Sequence, residues 1–139
     1  MNTKYKLIDH TADIGIIAYG NDLPELFANS AYAMFDILAD MDKVDAKDRF
    51  EIQVSAKNQE ELLITWLDEL LFRYETERII CNQFIIADLN EKSLSATVFY
   101  EKIDRKKHEI KTEIKNVTYH QLEIKKVRNR WSAQVIFDV

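Results

Sequence analysis

The residues best suited to chemistry are crowded at the two ends of the chain. Near the start, Asp9-His10-Thr11-Ala12-Asp13 packs two carboxylates and an imidazole between apolar runs that read as strands. At the other end, Phe137-Asp138-Val139 offers an Asp side chain and the α-carboxylate of Val139. Hard divalent cations take several oxygen ligands, from carboxylates, carbonyls and water. Asp13 alone is too little for such an ion. Asp13 with Asp138 and the Val139 carboxylate would be enough, if the ends meet. Spacing alone favours a plainer reading, in which Asp9 and Asp13 bond backbone N–H groups in an Asx turn.

Other chemistry is less well supplied. The three histidines, His10, His108 and His120, include no i, i+4 helical pair of the kind that binds zinc. Hydrogen-bonded structural or surface roles suit them better. Gly15 and Gly20 are the two glycines, so there is no Gly-rich phosphate loop. No serine sits in a nucleophile-elbow context. Cys81, the one cysteine, excludes an internal disulfide and a multi-cysteine zinc site, and reads as a buried apolar residue. Lys115 falls in the strand-like run Ile114–Tyr119, where an outward-facing strand position accounts for it as well as a functional one does.

The elements that must position these groups follow from periodicity. Tyr5–Asp9 and Ile14–Tyr19 read as strands, the second with Ile14, Ile16 and Ala18 on one face. Asp22-Leu23-Pro24-Glu25 opens a helix, with Asp22 as cap and Pro24 in the first turn. Its apolar period runs from Leu23 to Leu38. Val44–Ser55 reads as a strand. Asn58 and Glu61 repeat the capping geometry and begin a second helix, whose wide stripe includes Leu62, Leu63, Trp66, Leu67, Leu70, Leu71 and Tyr74. Phe84–Leu89 and Leu94–Tyr100 flank the turn Asn90-Glu91-Lys92-Ser93. Residues 103–111 read as a charged loop. Glu113–His120, Leu122–Val127 and Trp131–Phe137 read as three closing strands, the last two joined at Arg128-Asn129-Arg130. Two helices and several strands without regular alternation give an α+β domain over residues 1–139. The expected architecture is a two-layer sandwich, both helices on one face of a largely antiparallel, mixed sheet.

Composition bounds the function. With 139 residues, 47% of them hydrophobic and 31% charged, the chain has the make-up of a single soluble globular domain. No apolar run approaches the ~20 residues of a membrane span. The opening residues lead straight into a strand pattern, and a cytoplasmic location is expected. The net charge of −5 divides into +4 over residues 100–139 and −9 over the rest. The basic third reads as a solvated face or as a surface for an RNA-bearing or acidic partner. The overall acidity argues against an autonomous nucleic-acid binder.

Several blocks taken together carry a family resemblance. They are Asp9-His10-Thr11-Ala12-Asp13-Ile14-Gly15, Ala18-Tyr19-Gly20, Leu23-Pro24-Glu25-Leu26-Phe27, Ala33-Met34-Phe35 with Asp40, and Leu62-Leu63 through Trp66-Leu67-Asp68-Glu69-Leu70-Leu71. His108, Ile114-Lys115-Asn116-Val117-Thr118-Tyr119-His120 and Val135-Ile136-Phe137-Asp138-Val139 complete the set. In this order the chain resembles the archease family along essentially its whole length. The resemblance implies an α+β archease-like fold and an accessory role rather than a catalytic one. It implies activation of an RtcB-type tRNA-splicing RNA ligase, by promoting guanylylation and multiple turnover and altering nucleotide use. Contact with RNA would be indirect or weak, and no membrane would be involved. A chaperone-like modulator of RNA- or DNA-processing proteins, with a purely structural metal site, is the alternative. The resemblance further implies a divalent metal, Ca²⁺ by preference over Mg²⁺ or Mn²⁺. Asp13, Asp138 and Val139 would be its ligands. Asp40, Asp9 and His10 would give ligand or supporting roles, and Lys115 a role in ligase activation. Two departures, Tyr100 where the family often has Gly and Asn116 where it often has Ala, are expected to affect loops and packing, away from the carboxylates.

Overall fold

Both helices start where their caps require. The Asp22 carboxylate accepts the Glu25 N–H at 2.8 Å, and Glu25 in turn accepts the Asn21 N–H at 2.8 Å. Asn58 accepts the Glu61 N–H at 2.8 Å. Each side chain thereby satisfies an N–H that has no partner within the helix. The structure is a computed structural model describing residues 3–10 and 12–139, with Asp9 and His10 described by backbone alone. Its elements in order are β1 (Tyr5–His10), β2 (Asp13–Gly20), α1 (Leu23–Leu38), β3 (Asp48–Ser55), α2 (Gln59–Glu77), β4 (Ile79–Leu89), β5 (Ser93–Lys102), β6 (Asn116–Val127) and β7 (Arg130–Asp138). A single 3₁₀ turn occupies Met41–Lys43. No described helix is long and apolar enough to cross a membrane.

The α+β reading holds, with two helices packed against antiparallel strands. The strands divide into two sheets, ordered β1-β2-β7-β6 and β3-β5-β4, with every pairing antiparallel. Alternation marks which residues face the core but not which strand lies alongside, so a single sheet was the simpler expectation. The chain crosses between the sheets twice, through α1 between β2 and β3 and through residues 103–115 between β5 and β6. Two boundaries also move. The strand expected from Val44 begins at Asp48, after the 3₁₀ turn. Two of the closing strands merge into β6, which starts at Asn116 and carries an irregularity between Thr118 and Glu123, with Gln121 at φ 53°.

Each helix touches strands of both sheets. α1 packs on β2, β7 and β4, while α2 packs on β6, β4, β3 and β5. Trp66, fully buried, donates its indole N–H to the Phe27 carbonyl at 3.0 Å, so the polar end of the largest core side chain is satisfied across the helix pair. Phe84 lies 6.2 Å from Trp66 and 6.0 Å from Phe35, ring centre to ring centre. That cluster joins both helices to the three-stranded sheet.

The register of β2 on β7 fixes the end of the molecule that carries Asp13 and Asp138. Ile14 pairs with Phe137, Ile16 with Val135 and Ala18 with Ala133, all facing the core. On the opposite face, Gly15 pairs with Ile136. A methyl group at Gly15 would stand 2.5 Å from Ile8 Cγ1 and 2.9 Å from Ile136 Cδ1. The two isoleucines therefore close over Gly15 from the flanking strands. We expect Gly15→Ala to lower stability by about 1–3 kcal/mol through overpacking, read from the denaturant midpoint. Stability equal to that of the parent would show that the isoleucines do not lock this register.

Candidate functional site

One residue pair beyond Gly15 and Ile136, on the same sheet face, Asp13 stands directly opposite Asp138. Asp138 is in turn opposite Asn116 of β6. Partners in an antiparallel pair point to the same side, with Cβ atoms about 4.5–5.5 Å apart. Asp13, Asp138 and Asn116 thus form a row across three adjacent strands. The Asn116 amide donates to Asp138 Oδ2 at 3.3 Å. The Lys115 N–H donates to the Asp138 carbonyl at 2.7 Å, which ties the segment entering β6 to the end of β7.

The sequence expectations meet this geometry unevenly. Asp13 and Asp138, 125 positions apart in the chain, come together through β2 and β7. The partner of the last strand is the second, while β1 lies outside β2. Lys115 is exposed and sits one residue before β6 rather than inside a strand. Val139 follows Asp138 and is half-buried. His10 is opposite Asp13 and Asp9 opposite Ile14 in the backbone register, but their side chains lie outside the described residues. Asp40 has a local task. Its carboxylate accepts the Asp42 N–H at 3.2 Å and faces the Lys43 ammonium at 3.9 Å, capping the 3₁₀ turn. Asn116 was expected to stay clear of the carboxylates, and the structure corrects this, since its amide bonds one of them. Among the described residues, no group of three or more His, Cys, Asp and Glu side chains is arranged so that it could hold a metal ion. The donor set at the row is two carboxylates and an amide, hard oxygen-rich chemistry that suits Ca²⁺ or Mg²⁺ with the remaining positions open to carbonyls and water.

A cleft of about 350 Å³ opens beside Asp13, lined by Tyr5, Leu7, Ile14, Asp36 and Lys111 among others. Within it the Tyr5 hydroxyl donates to Asp36 at 2.7 Å. Burial, followed by that bond, pushes the Tyr5 phenol well up. On the other side of the row lies Asp68 of α2, at the surface. Burial raises its carboxyl, and a hydrogen bond from the Val117 N–H works against that rise. Asp68 therefore joins α2 to β6 one residue past Asn116.

Sequence reasoning missed the clasp that holds the 103–115 segment. His108 is buried, and its Nδ1 accepts the Asp104 N–H at 2.9 Å. The ring proton must then sit on Nε2, which faces Glu101 Oε1 at 2.9 Å. The Glu101 carboxylate also accepts the Asp45 N–H at 2.9 Å and the Lys107 ammonium at 2.8 Å. Burial pushes the Glu101 carboxyl up. The Asp45, Lys107 and His108 donors more than offset this and hold it at about 2. Past the clasp, Asp40 donates its N–H to Glu109, Lys111 to Leu38 and Lys115 to Asp138. A charge-rich run reads as a solvated loop, and only a glutamate close to a histidine hinted otherwise. Cys81 is buried, as its apolar reading implied, and burial raises its thiol far above the ordinary range.

Because the folded Glu101 carboxyl lies below its ordinary value near 4.5, its contribution to stability is complete above that pH and is lost as pH falls toward 2. We expect the stability difference between the parent and Glu101→Gln to be constant above pH 5 and to shrink through that window. Thermal melts across pH measure it. A difference independent of pH would contradict the clasp.

Comparisons with known proteins converge. A family model described as the archease protein family (MTH1598/TM1083) matches residues 5–139. The "Protein archease" of Methanosarcina acetivorans is 39% identical over 140 residues, covering 98% of this chain and 96% of the relative. The "Protein archease" of Pyrococcus abyssi is 38% identical, covering 98% and 99%. The solution structure of Methanobacterium thermoautotrophicum protein 1598 superposes with a TM-score of 0.84 at 36% identity, covering 98% of this chain and 99% of that one. A crystal structure from Thermotoga maritima, described as an archease and possible chaperone, shares the fold with a TM-score of 0.65 at 20% identity.

Proposed function

The chain belongs to the archease family, and from that premise we propose that it is an accessory protein activating an RtcB-type RNA ligase. It would promote guanylylation and multiple turnover while performing no ligation itself. The observation that carries this reading is the row of Asp13, Asp138 and Asn116, with Lys115 bonded through its backbone to the same strand end. Like charges directly opposite on neighbouring strands repel. A divalent cation held by Asp13 and Asp138, with the Val139 carboxylate as a further donor, turns that repulsion into attraction. Such an ion, bound here, would supply charge to a nucleotide phosphate.

The protein's own residues have distinct parts. Asp13 and Asp138 hold their carboxylates side by side on a rigid register. Asn116 holds one oxygen of Asp138 through its amide. Lys115, exposed beside them, offers a positive charge to a phosphate. Nucleotidyl transfer depends chiefly on positioning and charge stabilisation. A small protein docked at the edge of the ligase site can contribute both without a nucleophile of its own.

A second reading draws on the exposed apolar side chains Leu7, Phe72, Ile85, Tyr119 and Val127. They suit a chaperone-like modulator whose cation merely ties β2 to β7. The two readings part on substitution. We expect Asp13→Ala and Asp138→Ala to keep the fold and abolish stimulation of ligase guanylylation, with Lys115→Ala reducing it at least tenfold (~1.4 kcal/mol or more). Full stimulation by the Asp variants would remove the metal-centred mechanism. In the absence of ligase, calcium at about a hundredfold excess over Kd should stabilise the parent by about 2.7 kcal/mol and leave Asp138→Asn unchanged. Equal stabilisation of both would place the ion elsewhere.

A further inference from the structure

Beside Lys115 lies a groove unrelated to the core. Its volume is about 520 Å³, and α2 forms one wall with Thr65, Asp68, Phe72 and Glu75. Lys115 and Asn116 form the other. Phe72 is 60% exposed, although it sits in a helix whose apolar stripe is otherwise buried. Tyr119 is also 60% exposed. It lies two residues past Val117 in β6, near Glu61 and Asp68 of α2. Glu61, Thr65, Asp68, Phe72 and Glu75 follow spacings of three and four, so they share one helix face. That face therefore carries Phe72 among carboxylates, with Tyr119 of β6 nearby. Arg73 is bonded to Glu69 at 3.1 Å and faces Glu77 at 3.6 Å, so its charge is already engaged on the helix.

Exposed aromatics beside an acidic helix face, with the Lys115 cation on the facing wall, have the make-up of an interface hot spot with a charged rim. The charge decides what covers it. RNA is repelled by the carboxylates of the α2 wall. A protein segment carrying Lys or Arg around an apolar anchor is attracted. The accessory reading above, on which this inference rests, supplies such a partner. An enzyme that grips RNA ends and a nucleoside triphosphate must present cationic surface around its site. We infer that the α2 groove, centred on Phe72 and rimmed by Glu75 and Tyr119, docks a basic, apolar-anchored segment of the ligase. Docking there sets Lys115 at the border between the contact and the Asp13–Asp138 row. The acidic groove provides steering and register, and Phe72 provides the anchor.

The test measures affinity of the whole protein for the purified cognate ligase, at ~50 mM and about 500 mM salt. The variants are Phe72→Ala, Glu75→Lys and, as a distant control, Glu51→Lys on exposed β3. Phe72→Ala and Glu75→Lys should each weaken binding at least tenfold, in keeping with loss of an anchor residue. Their melting temperatures should match the parent, since both side chains are largely in solvent. The control should bind normally, and high salt should weaken the parent. Unchanged binding by both groove variants, while the parent binds and stimulates, overturns the groove and leaves the accessory role standing. A parent that neither binds nor stimulates the ligase overturns both. Self-association of the parent abolished by Glu75→Lys, or RNA binding abolished by Phe72→Ala, would give the face to another occupant and overturn the inference.

Discussion

The antiparallel register between β2 and β7 is the constraint from which the functional end of this protein follows. Pairing Ile14 with Phe137 and Ile16 with Val135 puts apolar side chains under α1. The same register leaves Asp13 opposite Asp138 on the other face. A slip of one residue would invert the faces, sending the carboxylates inward and the core residues outward. Burial of Ile16, Val135 and Phe137 thus specifies the position of the acidic pair. Gly15 sharpens the choice, because the isoleucines that close over it accept no side chain at that position.

The second constraint is the 103–115 segment. A connection of this length between sheets would ordinarily be variable in shape. Here the buried Glu101–His108 pair and the Lys107 ammonium hold one end, and backbone bonds to Leu38 and Asp138 hold the other. Its last residues pass between the Asp13 cleft and the α2 groove, with Lys111 in the first and Lys115 in the second. Two positive charges of the basic third, Lys111 and Lys115, are therefore set on either side of the acidic row. The Asp68 bond to the Val117 N–H fastens α2 to the same region.

How much of this was legible in the sequence depends on the range of the interaction that fixes it. Helix starts at Asp22 and Asn58 were legible because a cap and its N–H lie three residues apart. The faces of β2 were legible from alternation. The meeting of Asp13 and Asp138 was a conjecture from chemistry, since nothing in either local stretch encodes the other. The division into two sheets was hidden for the same reason. The bond from Asn116 to Asp138 was overlooked because a strand residue's partner depends on register. Glu101 and His108 were hidden by charged neighbours that made the run look solvated, although both are buried. The apolar stripe of α2 left Phe72 out, in keeping with its exposure, but the groove beside it depends on where β6 lies and was not legible.

The most direct measurement is anomalous diffraction from crystals grown with Mn²⁺ and, separately, with Ca²⁺. A peak bonded to carboxylate oxygens of both Asp13 and Asp138, at about 2.1–2.6 Å, is the predicted result. Well-ordered carboxylates at that row with no ion between them, or an ion held at some other group of oxygens, would contradict it.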